Sequence, residues 1–365
     1  QDMTTVLDCI ERIPKCLKGI RDSYPERAKN IADYLSESGI KKVRRLVFIA
    51  SGSSYNSAHT AKLFIKNQCG IETDFKYPNL FVNYEADTEL SRKAGDTDST
   101  VYVVISQGGE TKLVYQALEK IKNADRPCMA ITADAEASIA RMAGFHLDMG
   151  CGQEEFMYRT IGFSTSAAVC WLLGLAAGVY NGEVTAEAEA GYLKDFDAMI
   201  QNLPAVEAAT ETWYQANKFS LLRRNKMMLA GTGDLYPIVN EGDIKVMEMV
   251  PMMTRSFELE EFIHGPQNSF DDATLFLILH HRGEDDEKAK AIARFIKEQI
   301  GFCALVGEEP LEERDLSISP ASRWFFGLEY VTVFQVLAYR MADDRGRDLH
   351  RGVNAVVSQY ITKTL

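Results

Sequence analysis

Short apolar runs rich in β-branched residues alternate with amphipathic helical stretches along most of this chain, and that alternation restricts the fold more than any other feature. RRLVFIA (Arg44–Ala50), STVYVVIS (Ser99–Ser106), PCMAITA (Pro127–Ala133) and GFHLDMG (Gly144–Gly150) read as buried strands. ETKLVYQALEKIKNA (Glu110–Ala124) lies between two of them with a helical period. Buried strands interleaved with helices make a parallel sheet covered on both faces. The order then repeats: NKMMLAGTGD (Asn225–Asp234), TLFLILHH (Thr274–His281) and GFCALVGE (Gly301–Glu308) are strands. IVNEGDIKVMEMV (Ile238–Val250) and EKAKAIARFIKEQI (Glu287–Ile300) are the helices between them. The turns Ile49–Ser54 and Leu229–Asp234 fall at equivalent places, so the chain reads as two copies of one α/β unit.

At 365 residues the chain has room for two ordinary cores. The expected organisation is a helical segment over 1–36, a first α/β domain over 37–190, and a second over 191–365 that includes a C-terminal tail. The leading helices are expected from Met3 to about Ser36, punctuated at Pro14 and Pro25. The join is expected within the polar helical stretch Asn181–Arg223. The most apolar stretch, AAVCWLLGLAAGV (Ala167–Val179), is shorter than the roughly 20 residues of a membrane span and reads as a buried helix.

A net charge of −12 argues against nucleic acid as a partner, because phosphate backbones are bound with surplus Lys and Arg. A small phosphorylated ligand needs only local donors. The seven cysteines are scattered with no CxxC pair, which fits reduced thiols in a cytoplasmic protein. The opening QDMTTVLDCIERIPKCL has no signal-peptide core. A cytoplasmic location with no membrane partner is therefore expected.

Three segments offer small hydroxyl or amide donors near strand ends or helix starts. They are Ser53 and Ser54; SQGGET with Ser106, Gln107 and Thr111; and GFSTS with Ser164, Thr165 and Ser166. Doubly wound sheets bind ligands outside the carboxyl ends of their strands. A helix N-terminus there can hold a phosphate with no Lys or Arg. Each segment alone is equally an ordinary helix cap; together they point to a shared phosphate site. Neither a Walker-type loop nor a G-x-G-x-x-G turn is present, which disfavours nucleotide binding and a dinucleotide-dependent dehydrogenase.

In EGDIKVMEMVP, Glu241, Lys245 and Glu248 fall at i, i+4 and i+7, on one helical face. Such a face is either a solvated salt-bridge stripe or a piece of acid–base machinery. Pro251 is expected to end the helix near Val250, leaving Glu248 in the last turn. There the helix dipole opposes a carboxylate and favours its use as a general base. ELEEFIHGPQNSF carries Glu258, Glu260, Glu261 and His264 before a Gly-Pro turn, where a histidine is structural or catalytic. His280 and His281 read as a rim pair at a strand end, and the spacing gives no metal site.

Taken in order, ASGSSYNSA, SQGGET, GFSTSAA, GTGDLYPIVNEGDIKVME and EEFIHGP resemble the sugar isomerase (SIS) family. The likeness runs from about Arg44 to the C-terminus. Within the family it is closest to the isomerase half of the glutamine–fructose-6-phosphate aminotransferases and to the fructosamine-6-phosphate deglycases. It implies two tandem SIS domains, each a flavodoxin-like α/β/α sandwich around a parallel sheet. By position it implies that Ser53, Ser54, Ser106, Gln107, Gly108 and Thr111 hold a sugar phosphate, with Ser164 at the sugar hydroxyls. It further implies Glu248 as the base that moves a proton between C1 and C2, with Lys245 its neighbour and Glu241 a wall carboxylate. His264 matches the ring-opening histidine, which in that family reaches in from a partner subunit. A homodimer with active sites near the subunit interface, and no cofactor, are therefore expected.

The departures bear on chemistry. The aminotransferases carry a glutaminase domain that this sequence lacks, so no glutamine hydrolysis is expected. Their SQSGET reads SQGGET here, leaving Gly108 only a backbone donor. Where they place a Schiff-base lysine, this chain has Val357, and Lys363 stands too far along to replace it. A substrate that already carries nitrogen needs no such amine. The expected activity is thus a fructosamine-6-phosphate deglycase or a glucosamine-6-phosphate deaminase/isomerase. A non-catalytic sugar-phosphate sensor and an ammonia-dependent fructose-6-phosphate aminotransferase are the alternatives.

Overall fold

A computed structural model describes residues 4–92 and 99–365. The chain divides into two compact units, each with its own sheet. The first-sheet unit comprises Lys15–Glu154, Ile161–Lys194 and Asn354–Leu365; the second-sheet unit comprises Gln1–Pro14, Glu155–Thr160 and Asp195–Val353.

The first sheet holds β1 (Arg45–Ile49), β2 (Glu72–Lys76), β3 (Thr100–Ile105), β4 (Cys128–Thr132) and β5 (Phe145–Asp148). All neighbours are parallel, in the order β2-β1-β3-β4-β5. One face carries Val47, Ile49, Tyr102, Val104 and Ala130, covered by Val114, Ala117, Leu118 and Ile121 of a helix over Lys112–Asn123. Elsewhere in the unit, the helix Ile161–Tyr180 packs on Ser53–Thr60, Lys62–Cys69 and Tyr24–Glu37. We number the helices α1 (Val6–Asp22), α2 (Tyr24–Glu37), α3 (Ser53–Thr60), α4 (Lys62–Cys69), α5 (Lys112–Asn123) and α6 (Ile161–Tyr180). Helix α6 is long and apolar enough to cross a membrane, but its whole apolar window is buried inside the protein. Its all-round hydrophobicity is that of a core helix.

The second sheet holds β6 (Lys226–Gly231), β7 (Met253–Glu258), β8 (Thr274–Leu279), β9 (Cys303–Gly307) and β10 (Leu316–Ser317). Its order, β7-β6-β8-β9-β10, is again all parallel and repeats the topology of the first. That is the flavodoxin-like 2-1-3-4-5 arrangement. Its helices are α7 (Ala186–Leu222), which belongs to this unit from Asp195 onward, α8 (Tyr236–Met249), α9 (Asp286–Gln299) and α10 (Gly327–Asp344). Ala289, Ile292, Ala293 and Ile296 of α9 pack on Ala230, Phe276, Ile278, Cys303 and Leu305. Helices α8 and α10 pack together.

One expectation about the helices needs correction. Pro14 does not punctuate: α1 runs through it, whereas Pro25 does sit in the first turn of α2, where a missing N–H costs nothing. The expected start at Met3 lies outside the described residues. Three strands were not anticipated, β2, β7 and β10, and each is a sheet edge.

Helices α8 and α10 approach closely because Gly242 has no side chain. A Cβ there would stand 2.6 Å from the ring of Phe334. Gly242→Ala gains about 1 kcal/mol of helix propensity but overpacks a buried ring, which typically costs about 1–3 kcal/mol. A lower urea midpoint is expected for this variant; an unchanged or higher one would show that the helices can separate freely.

Candidate functional site

In the first-sheet unit, β1 ends at Ile49 and α3 begins at Ser53. The turn depends on Gly52, whose φ of 57° lies in the left-handed region that a side chain disfavours. Gly52 gives α3 no side-chain cap. Ser53 and Ser54 thus stand in the first turn of a helix whose leading N–H groups have no intrahelical acceptor. Ser57 binds this turn to α6: its hydroxyl lies 2.8 Å from the Ser54 carbonyl and 2.9 Å from the Ser166 hydroxyl.

The neighbouring strand β3 ends in Ser106, Gln107, Gly108, Gly109, Glu110 and Thr111 before α5. The hydroxyls of Ser106 and Thr111 lie 2.8 Å apart, and the Gly109 N–H donates to the Ser106 hydroxyl at 3.1 Å. These contacts fold the segment into a closed loop with Gly108 exposed at its tip. β1 and β3 are adjacent, and their outgoing loops flank the position where such sheets take ligands. The tail runs beside this loop: Lys112 N–H donates to the Lys363 carbonyl and Leu365 N–H to the Glu110 carbonyl, both at 3.0 Å. Val357 lies on a short 3₁₀ turn of that tail with its side chain largely exposed.

The third hydroxyl segment is arranged otherwise. Ser164, Thr165 and Ser166 sit inside α6, not before it, and all three are buried. Thr165 donates back to the Ile161 carbonyl at 2.9 Å. The residue that occupies the start of α6 is Glu154, which no motif announced. Its carboxylate accepts the N–H groups of Ile161 and Gly162 and the side-chain amide of Gln107.

In the second-sheet unit, Glu241, Lys245 and Glu248 do share one face of α8, and Glu248 lies in its last turn. The face is not a solvated stripe. Glu241 and Lys245 are 0% and 1% exposed, while Glu248 keeps about a third of its surface. The Lys245 ammonium donates to Glu248 Oε1 and lies 3.5 Å from Glu241 Oε1. One buried cation therefore serves two carboxylates, one sealed and one partly open to solvent. Asp243, one turn away, holds the next strand by accepting the Ser256 N–H at 2.9 Å and its hydroxyl at 2.8 Å.

At the start of α8, burial pushes the Asp234 carboxyl up to about 7. Nearby in sequence, Thr232 donates to Glu258 at 2.5 Å, and Glu258 also accepts the Glu260 N–H at 2.7 Å. His264 is exposed and lies 2.9 Å from Glu260, which also pairs with Lys288 at 2.7 Å. His280 and His281 are not a rim pair. His280 is 2% exposed and bound through Nδ1 to Asp286 at 2.6 Å. His281 stacks on Phe326 with ring centres 4.0 Å apart, and burial holds it below the usual histidine range. Among the described residues, no group of three or more His, Cys, Asp or Glu side chains is placed to hold a metal ion.

Residues 39–176 match the SIS domain model. The glutamine–fructose-6-phosphate aminotransferase (isomerizing) of Methanosarcina acetivorans is 23% identical over 347 residues, covering 89% of this chain and 52% of the relative. The chain thus spans about half the length of the curated relatives it matches. A Clostridium difficile 630 structure, provisionally assigned as a phosphosugar isomerase, superposes with a TM-score of 0.90 at 20% identity. It covers 100% of this chain and 99% of that one. The glucosamine-6-phosphate deaminase of Thermotoga maritima superposes with a TM-score of 0.71 at 21% identity, covering 93% of this chain and 98% of that one. These likenesses show the fold, with the SIS model matched in the first-sheet unit and the same strand order repeated in the second.

Two predictions follow from the geometry of the second-sheet unit. Lys245→Met leaves Glu241 buried without its counter-ion and is expected to cost about 3–5 kcal/mol in urea unfolding. Adding Glu241→Gln should recover most of that loss; equal instability of the single and double variants would mean that the charge pair is not the cause. For Asp234, a folded-state pKa above the unfolded value of 3.8 means that the folded chain binds the proton more tightly. Its contribution is favourable below about pH 4 and is lost as pH rises toward 7. Asp234→Asn should remove up to about 1.4 kcal/mol per pH unit of declining stability in that window. Parallel stability–pH curves for the two proteins would contradict the assignment.

Proposed function

We propose that this tandem SIS-domain chain is an enzyme acting on a phosphorylated amino sugar by proton transfer between C1 and C2. The observation that carries the reading is the Lys245 ammonium, stripped of water and shared between a sealed carboxylate and an open one. A solvated stripe has no need of such burial, and buried charge is expensive unless put to use. The Ser53–Ser54 turn and the Ser106–Thr111 loop supply neutral donors suited to a phosphoryl group.

In this reading Ser53, Ser54, Ser106, Gln107, Gly108 and Thr111 hold the phosphoryl group, and Ser164 faces the sugar hydroxyls. His264 passes a proton to the ring oxygen as the sugar opens. Glu248 removes the C1 proton of a ketose that bears its amine on C1. The electrons form a C1–C2 enol as the carbonyl oxygen takes a proton from solvent; Glu248 then returns its proton to C2 and the nitrogen gives up its own proton to solvent. The product is a C1 imine, which water hydrolyses to an aldose 6-phosphate and a free amine. Lys245 balances the charge that develops as the proton leaves, and Glu241 fixes Lys245. Valine at position 357 fits a substrate that brings its own nitrogen, because no lysine is required to capture it. That same valine also fits a sensor that binds sugar phosphates without turning them over.

The test is a panel of fructosamine 6-phosphates and glucosamine 6-phosphate, scored for released amine and for ligand-induced thermal stabilisation. Wild-type protein is expected to release amine. Glu248→Gln should lose 10²–10⁴-fold in kcat, about the worth of a general base, while keeping its thermal shift. Stabilisation without turnover across the panel would favour the sensor; protection by nucleotides alone would refute both readings.

A further inference from the structure

The start of α6 already has its anion. Glu154 turns back from the loop after β5 so that Oε1 accepts the Ile161 N–H at 3.0 Å and Oε2 accepts the Gly162 N–H at 3.1 Å. Oε2 also accepts the Nε2–H of Gln107 at 2.9 Å. On the other side of that amide, a Cβ on Gly162 would stand 1.8 Å from Gln107 Oε1. The Gln107 backbone is fixed as well, its carbonyl accepting the Ala133 N–H at 2.9 Å. The side chain is thus clamped between a carboxylate and a glycine that leaves room for it.

An amide side chain has a donor end and an acceptor end of nearly the same shape, so its neighbours decide which way it faces. A carboxylate only accepts. Glu154 therefore selects the orientation with Nε2 toward itself and leaves the second Nε2 hydrogen for another acceptor. It also accepts two of the leading N–H groups of α6, those of Ile161 and Gly162, and so already places a carboxylate where that helix start would favour an anion.

We propose that Glu154 is a positioning residue for phosphoryl binding, acting through Gln107, and that the phosphoryl group is served by the β1 and β3 loops without α6. This rests on the reading of Ser106–Thr111 as the phosphoryl loop. Electrostatics alone argue the other way, because a carboxylate behind the loop repels an incoming dianion. The two effects predict opposite signs for its neutralisation, which makes the role testable.

Dissociation constants for inorganic phosphate and fructose 6-phosphate would be measured by calorimetry on wild type, Glu154→Gln, Gln107→Ala, the double variant and Gly162→Ala. Glu154→Gln is expected to weaken both ligands about tenfold, the worth of one hydrogen bond to a charged group. Gly162→Ala, which evicts the amide without touching the carboxylate, should weaken them similarly and keeps the test alive if Glu154→Gln fails to fold. The double variant should bind no worse than Gln107→Ala, since one residue acts through the other. With an active substrate, KM should rise in Glu154→Gln and kcat should hold. Unchanged or tighter binding in Glu154→Gln, or additive losses in the double variant, would overturn the proposal. Failure of the wild type to bind either ligand would instead remove the phosphoryl-loop reading on which it stands.

Discussion

A parallel sheet buried on both faces has nowhere to put polar chemistry except the ends of its strands. That constraint governs both halves of this chain. The central strands β1, β3, β4, β8 and β9 are apolar almost throughout. Apart from Ser256 and Glu258 on the edge strand β7, the hydroxyls, amides and carboxylates of the candidate site lie beyond a strand terminus or on a helix that follows one. The fold therefore does more than support the candidate site: it limits where one can be.

The two units share a strand order but line their strand ends differently. After β3 the first unit closes a loop of neutral donors around Ser106 and Thr111, a lining suited to an anion. After β8, the equivalent strand of the second unit, the lining is charged and already paired. His280 is held by Asp286, and Lys290 bridges Asp286 and Glu309. That loop is tied up in its own ion pairs, unlike the neutral loop after β3. The second unit instead has a buried charge pair on α8, Lys245 with Glu241. Two scaffolds of the same topology thus carry distinct polar equipment.

How much of this was legible beforehand follows from burial. The central strands announced themselves because residues hidden on both faces are apolar without interruption. Edge strands β2 and β7, Glu72–Lys76 and Met253–Glu258, are only half-covered and mix charged with apolar residues, so no run marks them. β10 is two residues long and carries no pattern at all. The 3.6-residue period placed Glu241, Lys245 and Glu248 on one face, but not whether water reaches that face; tertiary burial decides it and seals Glu241 and Lys245. Pro14 misled because a proline signals a helix end only where its lost hydrogen bond is not compensated by packing. His280 looked like a rim residue because a strand end is usually exposed, and here Tyr330 covers it by donating to its carbonyl at 2.5 Å. Glu154 was invisible, since its role depends on a loop folding back onto a helix start.

We propose that a carboxylate held by a desolvated lysine shuttles a proton between neighbouring sugar carbons. Incubation of a fructosamine 6-phosphate in D₂O, followed by proton NMR of the recovered sugar, tests it most directly. Glu248 exchanges with solvent during the transfer, so deuterium is predicted to appear at C2 of the aldose product with wild-type protein and to be absent with Glu248→Gln. Product formed without solvent deuterium at C2, or incorporation undiminished in the variant, would contradict the claim.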